Sequence, residues 1–266
     1  MAVFARAPIA GQAKTRLIPL LGPRGAAGLQ AALISDTLCK VAGLKGRIQP
    51  YLFWAGDSIA FRRSVLPPSR PLARERLALA PARAEPALSG AEACPRDSRR
   101  DSRTTPSWAP ACLGEFRIIG QQGKDLGERL ENAFRRLLLH HPSCVVIGTD
   151  SPLIPARVLR QSLRELQTCE SVLGPCPDGG YYLIALRRLA DPRMLGGILR
   201  AVRWSTPFAF RDTLRNLLRL GLSCSVLEGY ADVDLPRDFQ RLNKNLSRNR
   251  TARRLAPATW NFLKSS

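Results

Sequence analysis

An α/β fold, with a mixed and mostly parallel sheet flanked by helices, is what this chain predicts, and three observations carry the prediction. Short apolar runs alternate with segments of helical spacing along most of the 266 residues. "SCVVIGTDSP", Ser143 to Pro152, is a continuous apolar strand of the buried parallel type that stops in polar residues. Acidic residues follow three separate apolar runs, where an open sheet presents ligand-binding groups at its carboxyl edge.

The elements follow in order. "AVFA", Ala2 to Ala5, is a short first strand, and "ARAPIAGQAKTRLIP" leads from it into a helix over about Pro23 to Val41, where Leu29, Leu33, Leu38 and Val41 keep near-helical spacing. "IQPYLFWAG", Ile48 to Gly56, reads as a second strand whose Pro50 places its start near an edge, and "SIAFRRSVL" as a short helix. From Pro67 to Leu113 the composition turns to Pro, Ala, Arg and Ser without a sustained period. Such a stretch buries too little apolar surface to offset its ordering entropy, so it is expected to be a disordered insertion, with a functional lid as the competing reading.

Order resumes with "EFRIIG" as the third strand. The helix after it carries an apolar stripe of Leu126, Leu130, Ala133, Phe134, Leu137 and Leu138. The strand ending at Asp150 precedes the helix "PARVLRQSLRELQ", with Pro155 suited to a first turn. "SVLGPCPDGGYYLIALRR" reads as strand, turn, strand. "TPFAFRDTLRNLLRLG" is a helix ending at Gly221, and "SCSVLEGYADVDLP" a last strand running into an acidic turn. Past residue 242 the chain is polar and basic, and 243–266 is expected to be a loosely held tail to which Trp260 and Phe262 lend docking groups.

Charge and cysteines limit the function classes. The formal charge of +20 invites a nucleic-acid reading. Arg237 to Ser266 contributes eight Lys/Arg against one acid, and Pro67 to Leu113 eight Arg against five acids, so half of the excess lies in two peripheral segments. No nucleic-acid-binding motif accompanies it, and no specific nucleic acid is expected as a partner. Seven scattered cysteines without a CxxC pair fit reduced thiols in a cytoplasmic protein, and neither a disulfide framework nor a zinc site. No run of 18 apolar residues appears, so no membrane span is expected.

The chemistry concentrates in four places. Asp150 ends the buried strand; Asp232 and Asp234 follow "SVLEGY"; Asp178 lies in the glycine-rich turn "PDGG". Where such acids converge, their hard oxygens suit Mg²⁺ or Mn²⁺ together with substrate phosphates. Helix capping is the alternative: Asp150 or Ser151 for the helix near Pro155, and Asp234 for "PRDFQRL". The first loop adds Lys14 and Arg16, which match phosphate oxygens, and Gly11, which lets backbone approach a ligand. His140 and His141 sit at a helix end, where interaction with the dipole is the simpler role.

Six motifs occur in the order of a known family: "FARAPIAGQAKTRLIPLLG", "QQGKDLGERLENAF", "GTDSPLIP", "GPCPDGGYYLIAL", "RWSTPFAFRDTL" and "DVDLPRDFQRL". The chain resembles the GT-A-type family labelled arsenosugar-biosynthesis glycosyltransferase, itself similar to molybdenum-cofactor and phospholactate guanylyltransferases. The resemblance implies a Rossmann-like GT-A (nucleotide-diphospho-sugar transferase) fold, one catalytic domain over 1–242 interrupted at 67–113. It implies a nucleotide-diphosphate sugar as donor, a small-molecule acceptor and a Mg²⁺ or Mn²⁺ cofactor. Gly11, Lys14, Thr15 and Arg16 would line the nucleotide phosphates, and Asp150 and Asp234 would hold the metal. Asp178 would be the acceptor-side base, beside Gly179, Gly180 and Tyr181. The chain departs from the family in "DVDLPRDF", which lacks the usual Thr before Pro and Glu after it. A nucleotidyltransferase that joins an NTP to a phosphorylated small molecule with release of pyrophosphate is the alternative that the same residues allow.

Overall fold

The structure, a computed structural model, describes residues 1–44, 48–56 and 109–265. Its sheet has seven strands: β1 (Ala2–Arg6), β2 (Tyr51–Ala55), β3 (Arg117–Gly120), β4 (Ser143–Ile147), β5 (Ser171–Pro175), β6 (Tyr181–Arg187) and β7 (Cys224–Val226). They lie in the order β3-β2-β1-β4-β6-β5-β7. All neighbours are parallel except β6, which runs antiparallel to both β4 and β5. This is the predicted mixed, mostly parallel sheet. Its strand order also brings the carboxyl ends of β1, β4, β5 and β7 to one edge.

Helices cover both faces: α1 (Ile18–Ala42), α2 (Leu126–Leu138), α3 (Ala156–Glu165), α4 (Met194–Leu199), α5 (Ala209–Arg219), α6 (Pro236–Arg248), α7 (Arg250–Leu255) and α8 (Pro257–Ser265). One core layer packs Ile34, Leu38 and Val41 of α1 and Val158 and Leu159 of α3 on Val3, Leu52, Val145 and Leu183. The other packs α4, α5 and the α2 stripe from Leu130 onward on Phe53, Val146, Leu173 and Ile184, while Leu126, expected in that stripe, is exposed in the first turn. The alternation of strand side chains divides the two sets. Asp125 caps α2 by accepting the Glu128 amide at 2.8 Å. Gly22, at φ 68° and followed by Pro23, breaks α1 near its start, which explains why helical spacing becomes regular only from Pro23. Residues 15–42 are apolar enough over 18 residues to match a membrane span by length and composition, but half of that window is buried in the fold.

The structure adds to some expectations, leaves others outside its described residues and changes one. The helix expected at 58–66 and most of the insertion expected at 67–113 lie outside the described residues. Ala111–Glu115 are described: they form a 3-10 turn with Leu113 buried. α4 lacked a sequence signal, because the paired glycines of "MLGGIL" hide a six-residue helix. The stretch from 243, expected to be loosely held, continues α6 and then forms α7 and α8. Leu246, Ala252 and Ala256 are buried there against Leu17, Leu29 and Leu33. Gly28 lets α8 approach α1 closely, since a Cβ there would stand 2.8 Å from the Phe262 ring.

Asp36, buried on α1, fastens this terminal layer. Its carboxylate accepts the amides of Ala258 (2.8 Å) and Thr259 (2.9 Å) and the Thr259 hydroxyl (2.6 Å), all about the first turn of α8. Burial raises the Asp36 pKa, against the pull of the Thr259 and Ala258 donors. Asp36→Ala is expected to cost about 2 kcal/mol in urea unfolding, because two buried donors of Thr259 and the partly buried Ala258 amide lose their acceptor. Limited proteolysis should then release a C-terminal fragment that the parent chain retains.

Candidate functional site at the carboxyl edge of the sheet

The site is built around one side chain. Lys14 ends the loop after β1 in the left-handed region (φ 47°, ψ 46°), just before a 3-10 turn at Thr15–Leu17. Its side chain is 5% exposed. The ammonium lies 2.7 Å from Asp150 Oδ1 and 3.0 Å from Asp234 Oδ1, and donates to the Val233 carbonyl at 2.8 Å. Burial pulls its pKa down, but the carboxylates of Asp150 and Asp234 outweigh that and hold it above the ordinary lysine value. Backbone joins the same segments, with the Val233 amide donating to the Asp150 carbonyl at 2.9 Å.

Neither aspartate is a cap. α3 begins after Pro155 without a side-chain cap, and it is Asp238 that accepts the Leu235 amide, at 2.9 Å, at the start of α6. The capping alternatives for Asp150, Ser151 and Asp234 are thereby set aside. Asp150 and Asp234 keep 45% and 44% of their side chains exposed, open on the side away from the lysine. Arg16 is exposed, 3.7 Å from Asp234 Oδ2. Thr15 and Gly11 are also exposed, Gly11 at φ +80° with open space beside it.

Asp232 joins the cluster. Val233 is buried between Asp232 and Asp234, which are both partly exposed. Burial first, then the charges of Asp178, Asp234 and Asp150, push the Asp232 carboxyl up to about 6. The three acidic segments read from the sequence therefore meet, and the Asp-x-Asp spacing was the signal for Asp232. Four acids facing one lysine and one arginine leave formal negative charge that a divalent cation would neutralise. Among the described residues no three ligating side chains form a metal cage by themselves. The donor set fits Mg²⁺ or Mn²⁺ held by one or two carboxylates with phosphate or water oxygens completing the shell.

Asp178 is exposed on the β5–β6 turn and accepts the Gly180 amide at 2.9 Å. Gly179 (φ +88°) lies under the loop before α5, where a Cβ would meet the Pro207 carbonyl oxygen at 2.1 Å. Ser205 of that loop and Lys14 are the non-glycine residues with positive φ among those described. Tyr181 lies at the start of β6, directly after the β5–β6 turn. Its ring packs edge-on to Trp204, centroids 6.0 Å apart, in the core layer with α2 and α5. Tyr182 packs in the same manner against Tyr230. His141 hydrogen-bonds to the Tyr51 hydroxyl at 2.8 Å, remote from these acids in the fold.

Sequence reading missed the groups that brace the Asp150 turn from α1. Gln30 donates to the Thr149 hydroxyl at 3.3 Å, and Lys40 donates to the Pro152 carbonyl. Both are polar positions in an apolar helix, which was the available signal.

The sequence profile described as "Uncharacterized protein conserved in bacteria (DUF2064)" matches residues 74–206, half of the chain. The chain belongs to this family. The matched range holds Asp150 and Asp178; Lys14, Asp232 and Asp234 lie beyond it. It begins within the stretch read as an insertion, so part of that stretch is family sequence. No curated protein matches the chain. Among solved structures, a provisionally assigned nucleotide-diphospho-sugar transferase from Desulfovibrio desulfuricans G20 is 24% identical, with TM-score 0.69 over 99% of this chain and 93% of its own. The 4-diphosphocytidyl-2C-methyl-D-erythritol synthase of Anaerococcus prevotii DSM 20548 is 9% identical, with TM-score 0.52 over 93% and 98%. A cytidylyltransferase from Leptospira borgpetersenii serovar Hardjo-bovis (strain JB197) is 11% identical, with TM-score 0.51 over 99% and 92%. The fold is that shared by nucleotide-diphospho-sugar transferases and cytidylyltransferases.

Two outcomes are expected of this geometry. Gly179→Ala should destabilise the chain by about 2 kcal/mol or more, through both the backbone conformation and the clash with Pro207. Gly180→Ala, whose Cβ would stand 3.2 Å from Asp178 Oδ1, should cost less in the same unfolding measurement. The Lys40 ammonium is lowered to about 8 from 10.5 by burial, which Asp36 and Cys39 oppose. Its folded value lies below its unfolded one, so between those two pH values the unfolded chain binds more protons and stability rises with pH. Urea midpoints across that window should show the rise in the parent chain and a flatter profile in Lys40→Met.

Proposed function

We propose that the chain is a metal-dependent GT-A-type transferase that moves a glycosyl group from a nucleotide-diphosphate sugar to a small-molecule acceptor. The observation that carries this reading is the buried Lys14 ammonium between two half-exposed aspartates, at the carboxyl edge of a nucleotide-transferase fold. Arg16 and the Lys14 loop, with Thr15 and the open backbone at Gly11, meet the nucleotide phosphates. Asp150 and Asp234, with Asp232 beside them, hold the cation, and a bound Mg²⁺ or Mn²⁺ supplies charge neutralisation on the departing nucleoside diphosphate. Lys14 fixes the two carboxylates in position and adds positive charge facing that diphosphate. Asp178 serves as acceptor-side base. The Gly180 amide orients its carboxylate, and Gly179 holds the turn against the loop at Pro207. A cytoplasmic location and the arsenosugar-biosynthesis branch of the resemblance belong to this proposal.

The likeness in fold to two cytidylyltransferases supports a second reading, in which the same groups bind an NTP and release pyrophosphate. Calorimetry with nucleotide sugars and NTPs, with and without Mn²⁺, separates the two. A metal-dependent heat with one nucleotide sugar and little with the matching NTP supports glycosyl transfer, and the reverse order supports nucleotidyl transfer. Affinity only for RNA, falling steeply with salt and indifferent to Asp150→Asn, would overturn both. On the substrate so found, Lys14→Met and Asp150→Asn are each expected to lower turnover by about 100-fold or more at an unchanged circular-dichroism spectrum. Full turnover in both variants would remove these residues from the site.

A further inference from the structure

The described cysteines are not equivalent. Cys144 and Cys176 are buried, and desolvation pushes both thiols up, Cys144 to about 12. Cys39 is exposed on the last turns of α1, and Cys112 is half-buried in the 3-10 turn entering β3. Their sulfurs stand 3.6 Å apart, and no other two sulfurs are in such contact among the described residues. Both backbones are anchored. Leu38 and Val41 on either side of Cys39, and Leu113 next to Cys112, are core residues. A disulfide requires these touching sulfurs to close to the S–S length of about 2.05 Å.

We propose that Cys39 and Cys112 form a reversible thiol–disulfide site, oxidised by a hydroperoxide, that cross-links α1 to the turn entering β3. This is independent of the transfer reaction proposed above. The electrostatics favour an ordered pair of roles. The hydrogen bond shared with Cys112, in which either sulfur can donate, lowers the Cys39 thiol to about 7, against burial and the Asp36 charge and with help from Ser35 and Lys40. Cys112 is raised in turn by the same bond. Cys39, the exposed sulfur of the two, is the one a peroxide reaches, and the less exposed Cys112 is the resolving thiol. The Cys39 sulfur attacks the peroxide, breaks its O–O bond and becomes a sulfenic acid, and the departing oxygen takes a proton to leave as water or an alcohol. Cys112 sulfur then displaces the sulfenic hydroxyl, and that oxygen leaves as water with the Cys112 proton. Two thiols lose two electrons and two hydrogens, and the peroxide accepts them.

The test treats the full chain with hydrogen peroxide, blocks free thiols and maps non-reduced peptides by mass spectrometry. The expected product is a peptide joining Cys39 to Cys112 that dithiothreitol separates. It should persist in Cys94→Ser, which removes the cysteine outside the described residues. It should be lost completely in Cys39→Ser and in Cys112→Ser, each checked for parent-like circular dichroism. Cross-linking of Cys39 to Cys94 instead, or over-oxidation of Cys39 with Cys112 left free, would overturn the proposal.

Discussion

A lysine ammonium taken out of water needs negative partners, and the site of this protein is arranged around that requirement. Lys14 is contributed by the loop after β1, Asp150 by the end of β4, and Asp234 and the Val233 carbonyl by the segment after β7. The desolvation cost of one ammonium is offset only when all three segments are in place, so the contact tests long-range assembly as well as local fit. It also depends on a left-handed backbone at Lys14, a conformation that a non-glycine residue adopts at some cost. A strained residue holding a buried charge is better explained by a binding site than by stability, since a hydrophobic residue of similar size would serve stability more cheaply.

The charge at this edge is opposite to that of the chain. The protein carries +20 overall, yet Asp150, Asp178, Asp232 and Asp234 face one another closely enough for three of them to raise the fourth. A phosphate approaching these acids alone would be repelled. The basic loop draws it in, and the acids then act as a seat for a cation between themselves and the phosphate. Phosphate-holding and metal-holding groups are thus complementary halves of one electrostatic arrangement, which neither the net charge nor any single motif expresses.

Much of this was legible in the chain, and the reasons for the gaps are physical. The buried run ending at Asp150 signalled a parallel central strand, because only a strand covered on both faces is apolar throughout. Convergence of the acids was conditional, since hydrophobic pattern does not specify strand order, and the order depends on β6 entering antiparallel between β4 and β5. Asp234 was ambiguous because an aspartate before Leu-Pro suits a cap equally well, and Asp238, four residues on, takes that role. Tyr181 follows the glycine turn in sequence, and what the chain alone did not show is that its ring packs on the core layer of α2 and α5. The C-terminal segment was misread through composition. Its arginines dominate the count, while Leu246, Ala252, Ala256 and Trp260 keep the spacing that buries one face.

α1 shows why composition needs partners before it can be interpreted. The helix is apolar nearly all round, a pattern that fits either a lipid span or the interior of a protein. Its polar residues decide between these. Gln30 reaches Thr149, Asp36 caps the first turn of α8, Lys40 reaches the Pro152 carbonyl, and Cys39 meets Cys112. Each points to a different neighbour, so α1 makes polar contacts with several parts of the fold. The same contacts couple the turn of Asp150, the terminal helices and the entry to β3 through one rigid element. The site's geometry therefore rests on a helix that contributes no proposed ligand to it.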